Sequence, residues 1–575
     1  MRMQRRIQNL LTFLYGERTA GQVWPELAAR LDAFRARHSE KSEKATPLRQ
    51  LLTQRDAILI TYGDQFQTPG QPHLRTLAQF LDRHLQGVMD GVHLLPFYPY
   101  SSDDGFSVID YKQVDPALGD WEDIIWLGQR YRLMFDAVIN HISRESAWFQ
   151  GFLRNEAPYR DFFIVVNPNT DLSQVVRPRA LPLLTRVQTA AGEKYVWTTF
   201  SEDQIDLNYA NPQVALAIID VLLFYVEKGA SIIRLDAIAY LWKEPGTSCI
   251  HLPQTHAMVK LWRAILDEIA PDVLLITETN VPHPENISYF GNYRPETGKT
   301  DEAQLVYNFT LAPLTLHAFL AEDATKLSHW AASLKAPPGA AFFNFIASHD
   351  GIGVRPAEDI LTPGEMQALI DRTLAHHGQV GYKGNPDGSK SVYELNITLY
   401  DFLNDPHHPD PPVDVARFLA SQSILLSLAG IPGIYIHSLF GSRSCQSCFR
   451  ATGRARSLNR EKFQLAEIEA LLTDPGSHQA QVFAGYRAML AVRRQHPAFH
   501  PFAGQRIHDL HPAVFAVERI AINGRERLLC LTNVSPRPQR ITLPSGRWQE
   551  ALGKRSDVAG ELMLPGYGVR WLARK

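Results

Sequence analysis

Three carboxylates stand where short apolar runs of this chain end. Asp236 closes Ser231-Ile-Ile-Arg-Leu-Asp236, Glu278 follows the run 273–277, and Asp350 follows the run 342–347 within Ser348-His-Asp350. Each alone reads as an ordinary structural acid. Taken together they fit retaining glycoside chemistry. There, one carboxylate attacks an anomeric carbon and a second, about 5–5.5 Å away, protonates the leaving oxygen. A third stabilises the developing oxocarbenium charge. Arg234 lies two residues before Asp236, so in a strand both side chains share a face. An adjacent guanidinium is expected to lower the Asp236 pKa and keep that nucleophile ionised.

Elements able to place acids in this way are parallel strands that end at one common mouth. Eight β-rich runs qualify: 57–62, 91–95, 133–140, 231–236, 273–277, 304–309, 342–347 and 433–437. They alternate with helical segments, which predicts a (β/α)8 TIM barrel, an α/β fold with its site at the carboxyl ends of the strands. The stretches 142–230 and 351–430 are too long for one crossover helix and are expected to carry inserted subdomains at that mouth. The predicted organisation is a helical extension over 1–55, the catalytic barrel over 56–505 and a small antiparallel β-domain over 506–575. The strands expected in that last domain are 513–517, 528–533, 540–543 and 569–572. In the extension, Ile7, Leu10, Leu11 and Leu14 follow helical spacing. A second helix is expected over 24–34, then a charged link over 35–44.

The motifs resemble a known family. Asp136-Ala-Val-Ile-Asn-His141, Arg234-Leu-Asp236, Glu278 and His349-Asp350 occur in the order of the four signature regions of the α-amylase superfamily, glycoside hydrolase family 13. Four segments look like its sucrose-phosphorylase branch: Ser102-Asp-Asp-Gly-Phe-Ser-Val-Ile-Asp-Tyr111, Phe200-Ser-Glu-Asp-Gln-Ile-Asp206, Lys243-Glu-Pro-Gly-Thr-Ser-Cys249 and Ser348-His-Asp-Gly-Ile-Gly353. Within the branch, Glu278-Thr-Asn-Val-Pro-His283, Glu285-Asn-Ile-Ser-Tyr-Phe290 and Arg177-Pro-Arg-Ala-Leu-Pro182 are most similar to glucosylglycerate phosphorylases. The resemblance implies Asp236 as nucleophile, Glu278 as general acid/base and Asp350 as transition-state stabiliser. It also implies Asp103, His141, Phe200, Gln204, Arg234, Tyr240, His349 and Arg460 around the glucosyl unit. No cofactor and no metal are implied; inorganic phosphate enters as co-substrate.

A glucosyl–Asp236 intermediate can be resolved by water, phosphate or another hydroxyl, so phosphorolysis needs phosphate bound and water held off. From Gly441 to Arg460 there are five arginines and no acidic residue. This predicts an anion-seeking loop beside the eighth strand. Arg443, Arg454 and Arg456 of that loop, Arg177 and Arg179 of the first insertion, and His283 are the expected phosphate and acceptor ligands. One basic pocket could serve glycerate and phosphate in turn, whereas neutral fructose or glycerol would use it less well. The same carboxylates would equally serve a sucrose or glucosylglycerol phosphorylase, or an α-glucosidase or transglucosylase of this fold. A non-catalytic binding protein is disfavoured because all three acids are present.

Composition excludes other classes. Lys+Arg and Asp+Glu number 58 and 60 in 575 residues, so no nucleic-acid or membrane partner is required by charge. No apolar run approaches a membrane span, and neither a P-loop nor a Rossmann turn occurs in context. Four cysteines make a cytoplasmic, reducing setting the default. Cys445 and Cys448 lack a second ligand pair for zinc and read as incidental thiols, with an adventitious disulfide or metal site as the lesser reading. Oligomeric state leaves no signature in the sequence.

Overall fold

In the computed structural model, which describes residues 2–42, 45–385 and 389–575, eight parallel strands close into a barrel. They are β1 (Ile58–Thr61), β2 (Gly91–Leu94), β3 (Arg132–Ala137), β4 (Ala230–Leu235), β5 (Leu274–Thr277), β6 (Leu305–Asn308), β7 (Ala341–Asn344) and β8 (Ile431–Tyr435). Each pairs with its chain neighbours, and β1 pairs with β8 in the register Ile58↔Gly433. All eight expected runs are strands of this barrel. Their β-branched and aromatic residues suit a ladder buried on both faces. The third run overshoots, because Val138-Ile-Asn140 stays apolar and buried after β3 has ended.

Register places charge inside the barrel. Asp136 of β3 pairs with Arg234 of β4, and in a parallel ladder such partners point to the same side. Below them the interior is filled by aromatic rings: Tyr307 stands 4.8 Å from Phe343, ring centre to ring centre. Gly433 of β8 leaves room for Phe343, whose ring lies only 2.3 Å from where a Cβ at residue 433 would be.

Both long excursions carry extra structure before their crossover helices, Pro212–Glu227 and Pro411–Ser427. In the first, His141–Ser143 pairs antiparallel with Gln204–Asp206, setting His141 opposite Asp206. In the second, Ile352–Gly353, Lys390–Asn396 and Gln379–Gly384 form a three-stranded sheet in that spatial order. That sheet carries Tyr393 and Glu394 to the barrel mouth.

Helical structure begins earlier than expected. A helical segment, α1, runs over Arg2–Arg37, broken at Gly16 by a φ of 76° that favours glycine. The second half thus begins directly after Gly16, before Trp24, and is followed by the short turn Ser39–Ser42. Glu43 and Lys44 of the expected link lie outside the described residues. The apolar side of α1, including Ile7, Leu11, Leu14, Leu27 and Leu31, is buried. Tyr15 donates to the carbonyl of Tyr209 at 3.1 Å, and Arg6 and Arg35 meet Asp267 and Glu268 at 3.1 and 2.6 Å.

The chain ends in a six-stranded antiparallel sheet and a separate two-stranded antiparallel sheet, Gln539–Thr542 with Glu561–Leu564. Strands such as Trp548–Glu550 escaped the sequence reading because so short a run shows no periodicity. The sheet docks through Trp571 and Thr532, each bonded to Ser423 of the last crossover helix, at 3.0 and 3.1 Å. Among the described residues no helix is long and apolar enough to cross a membrane.

Gly433→Ala tests the interior packing. The added methyl has to displace the Phe343 ring, and the expected cost is about 1–3 kcal/mol, read as a lower denaturant midpoint at unchanged slope.

Candidate active site

Arg234 is buried in the barrel, between the rings of Phe106 and Tyr307 at 5.7 and 5.5 Å. It binds Asp136 on the neighbouring strand and Asp236 two residues on, the latter at 2.8 Å. His93 holds the other oxygen of Asp136 at 2.6 Å. Asp136 therefore serves as the inner counter-charge, and Asp236 faces the pocket. After Asp236 the backbone turns through Ala237 in the left-handed region (φ 47°), a costly conformation for a residue with a Cβ. The turn aims the Ala237 N–H at Glu278, whose Oε2 accepts at 3.0 Å. Glu278 is anchored in turn by its own N–H, which donates to the carbonyl of Leu235 at 3.2 Å.

The electrostatics distinguish these acids. Burial raises the pKa of Asp236; Arg234 lowers it, and the nearby Glu278 and Asp136 raise it again. The expectation that Arg234 alone would hold Asp236 low is thus corrected, because removal from water outweighs the ion pair. Burial also raises Glu278, with Arg234 opposing and Asp350 adding. Of the two, only Asp236 has the guanidinium at hydrogen-bond distance. Asp350 behaves differently. Burial would raise it, but Arg456 at 2.6 Å, together with His349, Arg460 and Arg234, holds it well below the usual carboxylate range.

Around this core lies an open pocket. It is lined by Asp103, His141, Phe200, Gln204, Asp236, Tyr240, Glu278, His349 and Asp350, together with Phe106, Arg179, Tyr393, Glu394 and Arg456. His141 and the Gln204 amide both meet the carbonyl of Phe106, each at 2.9 Å. Phe200 packs against His141 and stands edge-on to Tyr240, with ring centres 5.2 and 5.7 Å apart. His349 stacks flat on Phe106 at 4.9 Å. Burial pushes both His141 and His349 below the ordinary imidazole value, so both are neutral. Asp103 and Asp104 hold left-handed backbone (φ 53° and 50°). Arg460 lies buried behind them, 2.6 Å from Asp104 and 3.8 Å from Asp103, and donates to the carbonyl of His349 at 2.8 Å.

The loop from 441 to 460 is not the unmatched basic loop its local sequence suggests. Arg443 pairs with Asp401 at 3.0 Å and lies over the Tyr400 ring. Arg456 is gripped by Glu394 through two bonds, 3.1 and 2.9 Å, besides Asp350. Acids remote in sequence supply the missing counter-charge. Arg454 is exposed and Arg177 donates to Leu181 within its own loop; neither lines the pocket. His283 opens the short helix His283–Ile287 with its ring 5.9 Å from Phe342. Phe342 alternates with the inward Phe343, so His283 packs outside the barrel rather than at its mouth. Of the six expected phosphate and acceptor ligands, only Arg179 and Arg456 line the pocket. The reading of Cys445 and Cys448 as free thiols is also corrected: they form a disulfide. The Cys448 N–H turns back onto Cys445 Sγ in the first turn of the helix Gln446–Thr452, which brings the two sulfurs together.

Phe106 and Glu394 were missed as site residues. Phe106 belongs to the quoted segment 102–111, where an aromatic residue among small polar ones was a usable signal. Glu394 had none, since its partner is 62 positions away. Among the described residues no group of three or more His, Cys, Asp or Glu side chains could hold a metal ion.

Residues 79–350 match the family model described as alpha amylase, catalytic domain. The chain is 52% identical over 545 residues to a protein of Allomeiothermus silvanus named glucosylglycerate phosphorylase, covering 94% of this chain and 95% of that one. It is 49% identical to a protein of the same name from Spirochaeta thermophila, covering 99% and 98%. Among solved structures, sucrose 6F-phosphate phosphorylase from Thermoanaerobacter thermosaccharolyticum superposes with a TM-score of 0.73 at 23% identity, covering 88% of this chain and 98% of that one. At that identity the likeness concerns the fold.

Arg456→Gln removes the nearest cation from Asp350 while Arg460 stays 3.6 Å away. The Asp350 carboxyl is expected to titrate about 1–3 pH units higher, which isotope-edited infrared spectroscopy would detect.

Proposed function

The chain belongs to the α-amylase family, glycoside hydrolase family 13, and we propose that it is a retaining phosphorylase of 2-O-α-D-glucosyl-D-glycerate. The observation that carries the chemistry is the pairing of Asp236, ion-paired to Arg234, with Glu278, bonded to the N–H of the very next residue. Double displacement requires the two acids in opposite protonation states, the one beside Arg234 ionised and Glu278 protonated. The acceptor assignment is supported by the identity to proteins named glucosylglycerate phosphorylase.

In the first step the Asp236 carboxylate attacks the anomeric carbon. The bond to the glycerate oxygen breaks, and Glu278 donates its proton to that oxygen. Positive charge developing on the ring faces Asp350, held ionised by Arg456, and the neutral His141 and His349 add none of their own. Glycerate leaves, a glucosyl–Asp236 ester remains, and phosphate takes the vacated space. The Glu278 carboxylate removes a proton from phosphate as its oxygen attacks the same carbon. Asp236 is released, α-glucose 1-phosphate forms with retained configuration, and Glu278 is protonated again. Arg179, at the pocket wall beside Tyr393, supplies charge for phosphate. No cofactor or metal is needed for these steps.

The purified protein should form α-glucose 1-phosphate from glucosylglycerate only when phosphate is present. Faster phosphorolysis of sucrose would overturn the acceptor assignment, and phosphate-independent release of glucose would favour a hydrolase. Asp236→Asn and Glu278→Gln should each lower kcat by at least about 10²–10⁴-fold with the fold intact. The sign of the pH dependence follows from Glu278. Because its pKa is raised, it stays protonated past the ordinary carboxylate range. Glucosyl transfer to Asp236 then falls as pH rises through that value, and Glu278→Gln should abolish this alkaline limb.

A further inference from the structure

Most guanidinium groups near the pocket are already matched. Arg234 is shared by Asp136 and Asp236, Arg456 by Asp350 and Glu394, and Arg460 by Asp104 and its neighbours. Two arginines differ. Among the described residues, neither Arg179 nor Arg355 has a carboxylate within ion-pair distance, and neither guanidinium makes a hydrogen bond to the protein. Both are half-buried. A cation partly withdrawn from water without a counter-charge is costly unless a ligand supplies one.

The two come from different insertions: Arg179 lines the pocket, and Arg355 stands directly behind residues that line it. Arg179 reaches from the first insertion to 5.4 Å from the centre of the Tyr393 ring. The backbone around Arg179 and Ala180 packs beside Gly384 of the second insertion, about 4 Å from a Cβ placed there. Arg355 opens the turn Arg355–Ala357, directly after the pocket-lining residues 351–353. The N–H of the preceding Val354 donates to the carbonyl of Tyr393 at 3.2 Å. Tyr240, which faces Phe200 across the pocket, is raised by burial and by Tyr393, with Arg355 and Arg179 both acting against them. On the other side of Arg355, His251 is held neutral: burial, His256 and Arg355 push it down to about 4. Lys383, the remaining nearby cation, has Glu358 at 4.0 Å. Arg355 thus lies near a neutral imidazole, the Tyr240 phenol and a lysine, and the acids beside these, Glu285 at 3.2 Å from His251 and Glu358 at 4.0 Å from Lys383, make no ion pair with it.

We infer that Arg355 is a specificity-determining residue, forming with Arg179 a two-guanidinium seat for the anionic group of the partner that leaves or attacks the glucosyl unit. This rests on the phosphorylase reading above. The carboxylate of glycerate and then phosphate occupy the seat in turn, each presenting the coplanar oxygens that a guanidinium fork binds through two bonds. A neutral acceptor such as glycerol leaves both cations unmatched and is rejected for that reason. The loop 441–460, rich in arginine but neutralised by remote acids, contributes little to this choice.

The test substitutes Arg355→Met, which keeps the apolar stem, and Arg355→Lys, which keeps the charge without the fork. With α-D-glucosyl fluoride as donor, the ratio of kcat/KM for D-glycerate to that for glycerol should fall about 10- to 100-fold in the Met variant. The partition of the glucosyl enzyme between phosphate and water should move toward water by a similar factor. Arg355→Lys should recover part of both ratios. Unchanged ratios, including an equal loss on glycerate and glycerol, would overturn the assignment, and a shift confined to one of the two anions would overturn the shared seat. Failure of the phosphorylase reading itself would appear in the wild-type protein, as no α-glucose 1-phosphate from glucosylglycerate and phosphate.

Discussion

Arg234 is the fixed point from which the site is built. A guanidinium cannot shed its charge to escape a dry interior, so acids must be brought to it. The register of β3 against β4 supplies Asp136, and the end of β4 supplies Asp236. Breaking such a buried set by removing one partner costs more than the pair contributes when intact. The arrangement therefore constrains both strands at once. Three parts of the pocket wall are referred to it: Asp236 directly, Glu278 through the N–H of Ala237, and Phe106 by lying over the guanidinium.

From that point outward, charge is distributed unevenly and to a purpose. Asp350 sits among cations and is held well below the usual carboxylate range, whereas burial and Asp350 raise Glu278, which has no cation in contact. The histidines between them are neutral. The two carboxylates thus differ in their readiness to ionise by position alone, the difference that the proposed roles of stabilising positive charge and delivering a proton call for. Glu394 extends the pattern. By gripping Arg456 from the far side it holds that guanidinium against Asp350 rather than leaving it free for whatever anion enters.

The barrel was legible in the sequence because each strand is a short β-rich run bounded by turn residues. The three acids were legible because they fall where those runs stop. Side chains that act through distant partners were not. The arginines of 441–460 looked unbalanced since their acids, Asp104, Asp350, Glu394 and Asp401, come from three other segments. Arg355 gave no signal at all: its local sequence, Gly-Val-Arg-Pro, resembles an ordinary turn, and its interest lies in what is missing around it. His283, by contrast, looked promising in its motif and packs on an aromatic ring outside the barrel. Linear spacing reports which face a residue takes, but a neutralising partner hundreds of positions away leaves no trace in it.

Helix α1 has a consequence for how the chain reaches this state. It is made well before the groups it rests on: Tyr209, Asp220, Asp267 and Glu268 come more than 170 residues later. At a synthesis rate of about 5–20 residues per second, its apolar side stays uncovered for roughly 10 to 50 seconds. Contacts of such long range are slow to form. The segment that ties down the two crossover helices flanking β4 is thus also exposed to competing partners for that interval, and the nascent chain has to be kept from aggregating through it until those helices have emerged.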